Sequence, residues 1–175
     1  MSEFAEEDIS IWYDKHSKAV LNFILLMVKD YQVAEDLTHD TFVKAYIYHN
    51  SFKGNASEKT WLFSIAHNVT VDYLRKRKPL LQLKEVFLSK ADPKLLPEEV
   101  VQVRQESYEL YKVLAEMKDA YKKVIILRKI QGFSTEDTAS ILHWSESKVK
   151  STLHRALPLL KKKLIMEGYL YEKSV

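Results

Sequence analysis

Only three glycines and four prolines interrupt this chain, and three of the prolines, Pro79, Pro93 and Pro97, fall in one stretch. Gly and Pro are the residues least compatible with a helix interior. Long helices are therefore allowed on either side of that stretch, and Leu, Lys and Glu, which are abundant, favour them. The expectation is an all-α protein in two small helical domains, residues 1–78 and 101–175, joined by a linker over 79–100. Leu80, Leu81, Leu83, Val86, Phe87 and Leu88 are too apolar for a free linker, so part of it is expected to dock. With 46% hydrophobic residues, each part has enough apolar surface for a core.

Apolar periodicity in the front half predicts helices over Ile9–Lys29, Gln32–Tyr48 and Ser57–Arg77, with a short turn or loop around Ser51–Ala56. Ser57 is placed to cap the last of these, and Gly54-Asn55 supplies the break before it. On the second helix Ala34, Leu37, Thr41 and Ala45 share one face. Asp36, His39, Asp40 and Val43 lie opposite, with Glu35 beside them. An acidic stripe repels phosphate and suits a basic protein surface, or is simply a solvated face. The third helix is expected to bury Leu62, Ile65, Ala66, Val69 and Tyr73, while Trp61, Phe63, Val71 and Leu74 spread around it. A helix apolar on several sides is central to a bundle or is a partner surface. Its basic end, Arg75 to Lys78, suits the C-terminal helix dipole and equally a DNA backbone.

The back half carries two short helix patterns, Ser134–Leu142 and Ser145–Leu157, around a tight turn, with Gly132 ahead of them. Such a pair reads as a helix-turn-helix, whose second helix enters the DNA major groove. Ser134 and Ser145 are placed as caps. At about 100° per residue, Val149, Leu153, Ala156 and Leu160 fall on one side of the second helix. Lys148, Ser151, His154 and Arg155 point away, with Lys150 and Thr152 on the flanks. Hydroxyls and cations bond phosphates, and Arg forks onto guanine; a solvated basic face in a bundle is the plainer alternative. Pro158 is expected to kink or end this helix beyond those residues.

A net charge of +3 makes general attraction to DNA modest, so binding has to come from local basic patches. There is no cysteine, which excludes disulfides and thiolate metal sites and fits a reducing compartment. The acidic start, Met-Ser-Glu-Phe-Ala-Glu-Glu-Asp, has no basic region of the signal-peptide kind. The longest apolar run, Phe23 to Val28, falls short of a membrane span. No phosphate loop, nucleophile elbow or paired metal-binding histidines are legible, so neither an enzyme nor a cofactor is expected.

Four stretches in order resemble the extracytoplasmic-function sigma factors, the compact specificity subunits of bacterial RNA polymerase. They are Ala34-Glu-Asp-Leu-Thr-His-Asp-Thr-Phe42, Thr60-Trp-Leu-Phe-Ser-Ile-Ala-His-Asn68, Val124-Ile-Ile-Leu-Arg128 with Gly132-Phe-Ser134, and Lys148-Val-Lys-Ser-Thr-Leu-His-Arg-Ala156. The Ser145-Glu-Ser-Lys-Val-Lys run is similar to the sigma-X group of Bacillus-type bacteria. The resemblance implies a first domain like sigma region 2 and a second like region 4. It implies that Glu35, Asp36, Leu37, His39, Asp40 and Phe42 dock on the clamp helices of the polymerase largest subunit, with the flap as a further core contact. It assigns the loop Phe52, Lys53, Gly54, Asn55, Ala56 and Ser57 to capture of a flipped −10 base, and Asn68 to the adjoining duplex. The −35 contacts it implies are Lys150, Ser151, Thr152, His154 and Arg155, to which the outward helix face adds Lys148.

Family habit further implies a cytoplasmic protein in an envelope or stress response, controlled by a membrane-anchored anti-sigma factor that holds it at the membrane's inner face. No small-molecule substrate is implied. Some positions depart from the pattern: Met117-Lys118 replaces a usual Leu-Pro, and Glu146-Ser147 a usual Gly-Thr. Thr152 stands where Arg is usual and His39 where Gln is. Two other readings remain open at this point: a ligand-responsive helix-turn-helix regulator working as a dimer, and a helical adaptor that binds no DNA.

Overall fold

The computed structural model describes residues 3–85 and 105–169, with side chains over 5–77 and 109–169. Contacts cluster into two compact units, Met1–Leu95 and Leu96–Val175. All regular structure among the described residues is helical. The first unit holds α1 (Glu3–Val28), α2 (Tyr31–Ile47) and α3 (Glu58–Glu85), with one 3-10 turn at His49–Ser51. The second holds α4 (Gln105–Ala115), α5 (Asp119–Ile125), a π-helical turn (Ile126–Ile130), α6 (Thr135–Leu142) and α7 (Glu146–Met166).

In the first unit each helix packs on the other two. Lys29 ends α1 in a left-handed conformation (φ 58°), and its N–H donates to Leu25 O at 2.8 Å. Asp30 then caps α2, its side chain accepting the Val33 N–H at 3.0 Å. This two-residue reversal sends α2 back along α1, so that Tyr13 meets Phe42 and Glu6 meets Tyr46. Val20, Phe23 and Ile24 of α1, Ala34 and Ala45 of α2, and Leu62, Phe63 and Ala66 of α3 are fully excluded from water. Thr38, Thr41 and Thr70 lie in this core because each hydroxyl donates to the carbonyl four residues back, at 2.7 Å, and so leaves no unpaired polar group.

Phe63 is core and stacks on Phe23 at 5.5 Å, whereas Ile65 and Tyr73 are only half-buried. The central-helix expectation for α3 therefore holds with its buried stripe turned by part of a turn. That helix also runs through Pro79 to Glu85, where the linker was expected to begin. A proline removes one helix bond, but the residues after it, Leu80 to Glu85, are mostly strong helix formers that carry the helix on. Val86, Phe87 and Leu88, part of the expected docking segment, lie outside the described residues.

In the second unit α7 packs on α4, α5 and α6. The π-helical turn closes with Gln131 N–H donating to Ile126 O at 2.8 Å and Phe133 N–H donating to Leu127 O at 2.9 Å. Gly132 sits between them at φ 76°, a conformation that side-chain-bearing residues rarely adopt. The reversal buries Phe133 and leads into Ser134, whose hydroxyl accepts the Asp137 N–H at 2.9 Å and caps α6. His143 ends α6 at φ 55°, and Trp144 N–H reaches back to Ala139 O at 2.9 Å. Ser145 then caps α7, accepting the Lys148 N–H at 3.2 Å. The expected helix-turn-helix is thus built from three local closures. Pro158 does not end α7, which continues to Met166; Pro158 is exposed, so water can reach the carbonyl its missing N–H leaves unbonded.

Candidate nucleic-acid interface and docking face

On α2 the pattern of Ala34, Leu37, Thr38, Thr41, Phe42 and Ala45 faces the core. Glu35, Asp36, His39 and Asp40 all stand in solvent on the outer side. Leu37 and Phe42 were expected on the docking face, but they are 7% and 5% exposed. They set the helix against α1 and do not themselves form its outer surface. Val43 and Ile47, at 42% and 58% exposed, continue the acidic stripe toward the C-terminus of α2 as an apolar strip. Ile47 extends the sequence expectation, since its i+4 spacing from Val43 puts it on the same face. Tyr13, Ser17, Lys18 and Leu21 of α1, with Glu35, Thr38 and His39, line a shallow groove of about 260 Å³ along one edge.

The loop before α3 is fixed at both ends. Phe52 is half-buried, 5.2 Å from the Trp12 ring and 5.2 Å from the Trp61 ring. The two tryptophans lie 6.0 Å apart edge to face, and His49 packs on Trp12 at 5.6 Å while its Nε2 lies 3.0 Å from an Asp8 carboxylate oxygen. At the other end the Ser57 hydroxyl accepts the Thr60 N–H at 3.1 Å, the expected cap of α3. Between these anchors Lys53, Gly54, Asn55 and Ala56 are exposed, with Gly54 at φ 70°. Asn68 is exposed on α3, seven residues and so about two turns beyond Trp61 on the same side of the helix. Trp12 comes from α1, far from the loop in sequence, and His49 from the 3-10 turn just ahead of it; no local signal marked either as part of this cluster. Beyond Asn68, Arg75 pairs with Asp72 at 3.0 Å and Arg77 lies over the Tyr73 ring, while Lys76 is exposed.

On α7 the outer face carries Lys148, Lys150, Ser151, His154 and Arg155, all exposed. Local contacts hold several of them. Lys150 Nζ lies 3.7 Å from Glu146 Oε2. The Ser151 hydroxyl donates to Lys148 O at 3.2 Å, and Arg155 Nε donates to Ser151 O at 3.2 Å. Thr152 is the correction here. Expected on a flank among the DNA contacts, it is 4% exposed and packs inward with Val149, Ala156 and Leu160. At about 3.6 residues per turn the core seam one turn after Val149 falls between 152 and 153, so both positions straddle it and Leu153 is the half-buried one.

Among the described residues no group of three or more His, Asp or Glu is arranged to hold a metal ion. Among them, too, no helix is long and apolar enough to cross a membrane.

Residues 12–79 match the family described as Sigma-70 region 2, and residues 107–160 match Sigma-70, region 4. The chain is 38% identical over 162 residues to the ECF RNA polymerase sigma factor SigX of Bacillus subtilis (strain 168), covering 90% of this chain and 84% of that one. It is 35% identical over 161 residues to the RNA polymerase sigma factor YlaC of the same organism, covering 90% and 92%. Among solved structures, the sigma factor RpoE in complex with the anti-sigma factor NepR from Bartonella quintana aligns at a TM-score of 0.77 and 26% identity. That alignment covers 91% of this chain and 98% of the other.

Proposed function

This chain belongs to the extracytoplasmic-function sigma factors of RNA polymerase, and from that premise we propose how its surfaces divide the work of starting transcription. The first unit docks on core polymerase through the outer face of α2, with Glu35, Asp36, His39 and Asp40 meeting basic residues of the clamp helices. Leu37 and Phe42 hold that face in place from beneath. The same unit captures a −10 base in the loop Phe52–Ser57, whose Phe52 ring rests against the Trp12 and Trp61 rings, and Asn68 reads the duplex beside it. A flipped base exposes a stacking face and hydrogen-bonding edges that a duplex hides. The second unit binds the −35 element through Lys148, Lys150, Ser151, His154 and Arg155. The flap of core polymerase is its second protein contact.

One observation carries this division: the two units present opposite charge on solvent-facing helix surfaces. Glu35, Asp36 and Asp40 line α2, and Lys148, Lys150 and Arg155 line α7. An anionic surface is repelled by DNA and attracted to a basic protein, and a cationic one gains from phosphate. The chain performs no covalent chemistry in this role.

A solved relative is bound by an anti-sigma factor, which supports a partner of that kind here. The Val43 and Ile47 strip beside the α2 carboxylates offers it an apolar foothold on the face core polymerase needs, so that the two compete. Such a partner anchored in a membrane would hold the chain at the inner face and release it on an envelope or stress signal. The test is transcription in vitro from a pool of promoter fragments with core polymerase, with and without the chain. Start sites that appear only when it is added support the reading, and their absence refutes it.

A further inference from the structure

Trp144 is the middle residue of the turn between α6 and α7, and no feature of its own sequence neighbourhood gives it a role in DNA binding. Its backbone is fixed by the bond from its N–H to Ala139 O at 2.9 Å. Its ring is partly buried, and the Lys148 ammonium lies 4.1 Å from the ring centroid. Lys148 is itself held at the start of α7, where its N–H is capped by Ser145. Resting on the reading that α7 enters the −35 groove, we propose that Trp144 is a positioning residue for promoter binding: its ring pins the Lys148 ammonium beside the turn, where a backbone phosphate receives it.

Three physical arguments support this. A free lysine side chain is long and flexible, and the first turn of a helix carries partial positive charge that repels a cation. An unassisted Lys148 would therefore spread away from the turn. The negative face of an indole is the strongest aromatic site for a cation, and at this distance it holds the charge while leaving N–H donors on the solvent side. Finally, the Lys148 charge is felt as far as α5, where it adds to burial in pushing the Lys123 pKa below the ordinary lysine value, against an opposing pull from Asp119. The turn leading into a recognition helix is a place where DNA backbone passes. A phosphate contact anchors position and reads no base.

The test is a double-substitution cycle on the full chain assembled with core polymerase, reading affinity for a promoter that it transcribes. Lys148→Ala and Trp144→Leu are each expected to weaken binding by about two- to fivefold. The pair is expected to be no weaker than Lys148→Ala alone, and Trp144→Phe to keep most of the wild-type affinity. The losses are the same for different −35 sequences, and Lys148→Ala lowers the slope of log affinity against log salt by about 1. If Trp144→Leu leaves affinity unchanged, or weakens it as much in the Lys148→Ala background as in the wild type, Trp144 only packs the turn and the inference falls. Arg155→Ala separates the two levels of argument. Loss at Arg155 with none at Trp144 overturns the inference alone, whereas no loss at Arg155, Lys148 or Lys150 overturns the assignment of α7.

Discussion

Lys15 on α1 donates to the carboxylate of Glu58, the first residue of α3, across 2.8 Å, and the His16 ring lies 3.4 Å from the same oxygen. The contact ties α1 to α3 at the end of the loop assigned to the −10 base, so its loss loosens the frame that holds that loop.

This tie makes stability depend on acid. The Lys15 ammonium, then backbone hydrogen bonding at the helix start, pull the Glu58 pKa from the ordinary 4.5 down to about 2. The folded-state value lies below the unfolded one, so the stabilisation is fully present above about pH 4.5 and disappears as pH falls toward 2. His16 adds a loss of the same sign from higher pH: burial holds its pKa below the ordinary 6.5, despite the pull of Glu58. Protonation thus favours the unfolded chain once pH drops below 6.5. Glu58→Gln is expected to cost about 1 kcal/mol at pH 7, a modest figure because Lys15 is largely exposed, and to flatten the acid limb. Denaturant melts between pH 3 and 7 check this; an unchanged acid limb in the variant removes Glu58 from the account.

The docking face gives a charge-reversal prediction. Asp36 and Asp40 sit one turn apart on the outer side of α2 and are exposed, so Asp36→Arg with Asp40→Arg changes the surface without disturbing the core. Core-polymerase affinity is expected to fall by at least tenfold, with the circular dichroism spectrum and melting temperature nearly unchanged. Binding measured by fluorescence anisotropy decides it, and wild-type affinity in the variant would exclude this face.

The outer and inner sides of α7 give opposite expectations. Arg155→Ala is expected to weaken −35 recognition by about 1–3 kcal/mol, the range for a lost bidentate base contact. Thr152→Val removes a hydroxyl from a position 4% exposed and is expected to leave promoter affinity within about twofold. Competition binding with −35 variants distinguishes them, and equal losses at both positions would restore Thr152 as a contact.

The parts of this fold legible in the sequence are those decided within one or two helical turns. The caps at Ser57, Ser134 and Ser145 each join residues three apart, and the outer faces of α2 and α7 follow from a single period. What escaped reading depends on neighbours that the local pattern does not contain. Trp12, His49, Phe52 and Trp61 form one aromatic cluster from α1, the 3-10 turn, the loop and α3. The choice of Thr152 over Leu153 for the core depends on how α7 lies against its neighbours, which a helical wheel leaves undetermined. Leu37 and Phe42 were assigned to the docking face through the family motif, which marks a helix as a whole and does not separate surface residues from those supporting them. Pro79 and Pro158 were read as breaks because local cost was weighed without the favourable residues on either side.

Pro158 offers the sharpest check of that last point. It sits inside α7 with helix continuing to Met166, so its ring must be accommodated against the preceding turn, and the His154 carbonyl four residues back receives no helix bond from it. In a helix interior this costs up to about 3 kcal/mol relative to alanine. Because Pro158 is exposed, water recovers part of the carbonyl's bonding, and the expected gain from Pro158→Ala is about 1–2 kcal/mol. For a domain of this size each kcal/mol moves the melting temperature by about 4–8 °C. The gain should appear in the transition of the second unit and not in that of the first, because α7 packs within the second unit. Promoter affinity is expected to stay within about twofold, since Lys148 to Arg155 all precede the substituted turn. A melting temperature that falls on replacing Pro158 would mean that the proline sets a bend the packing of α7 requires.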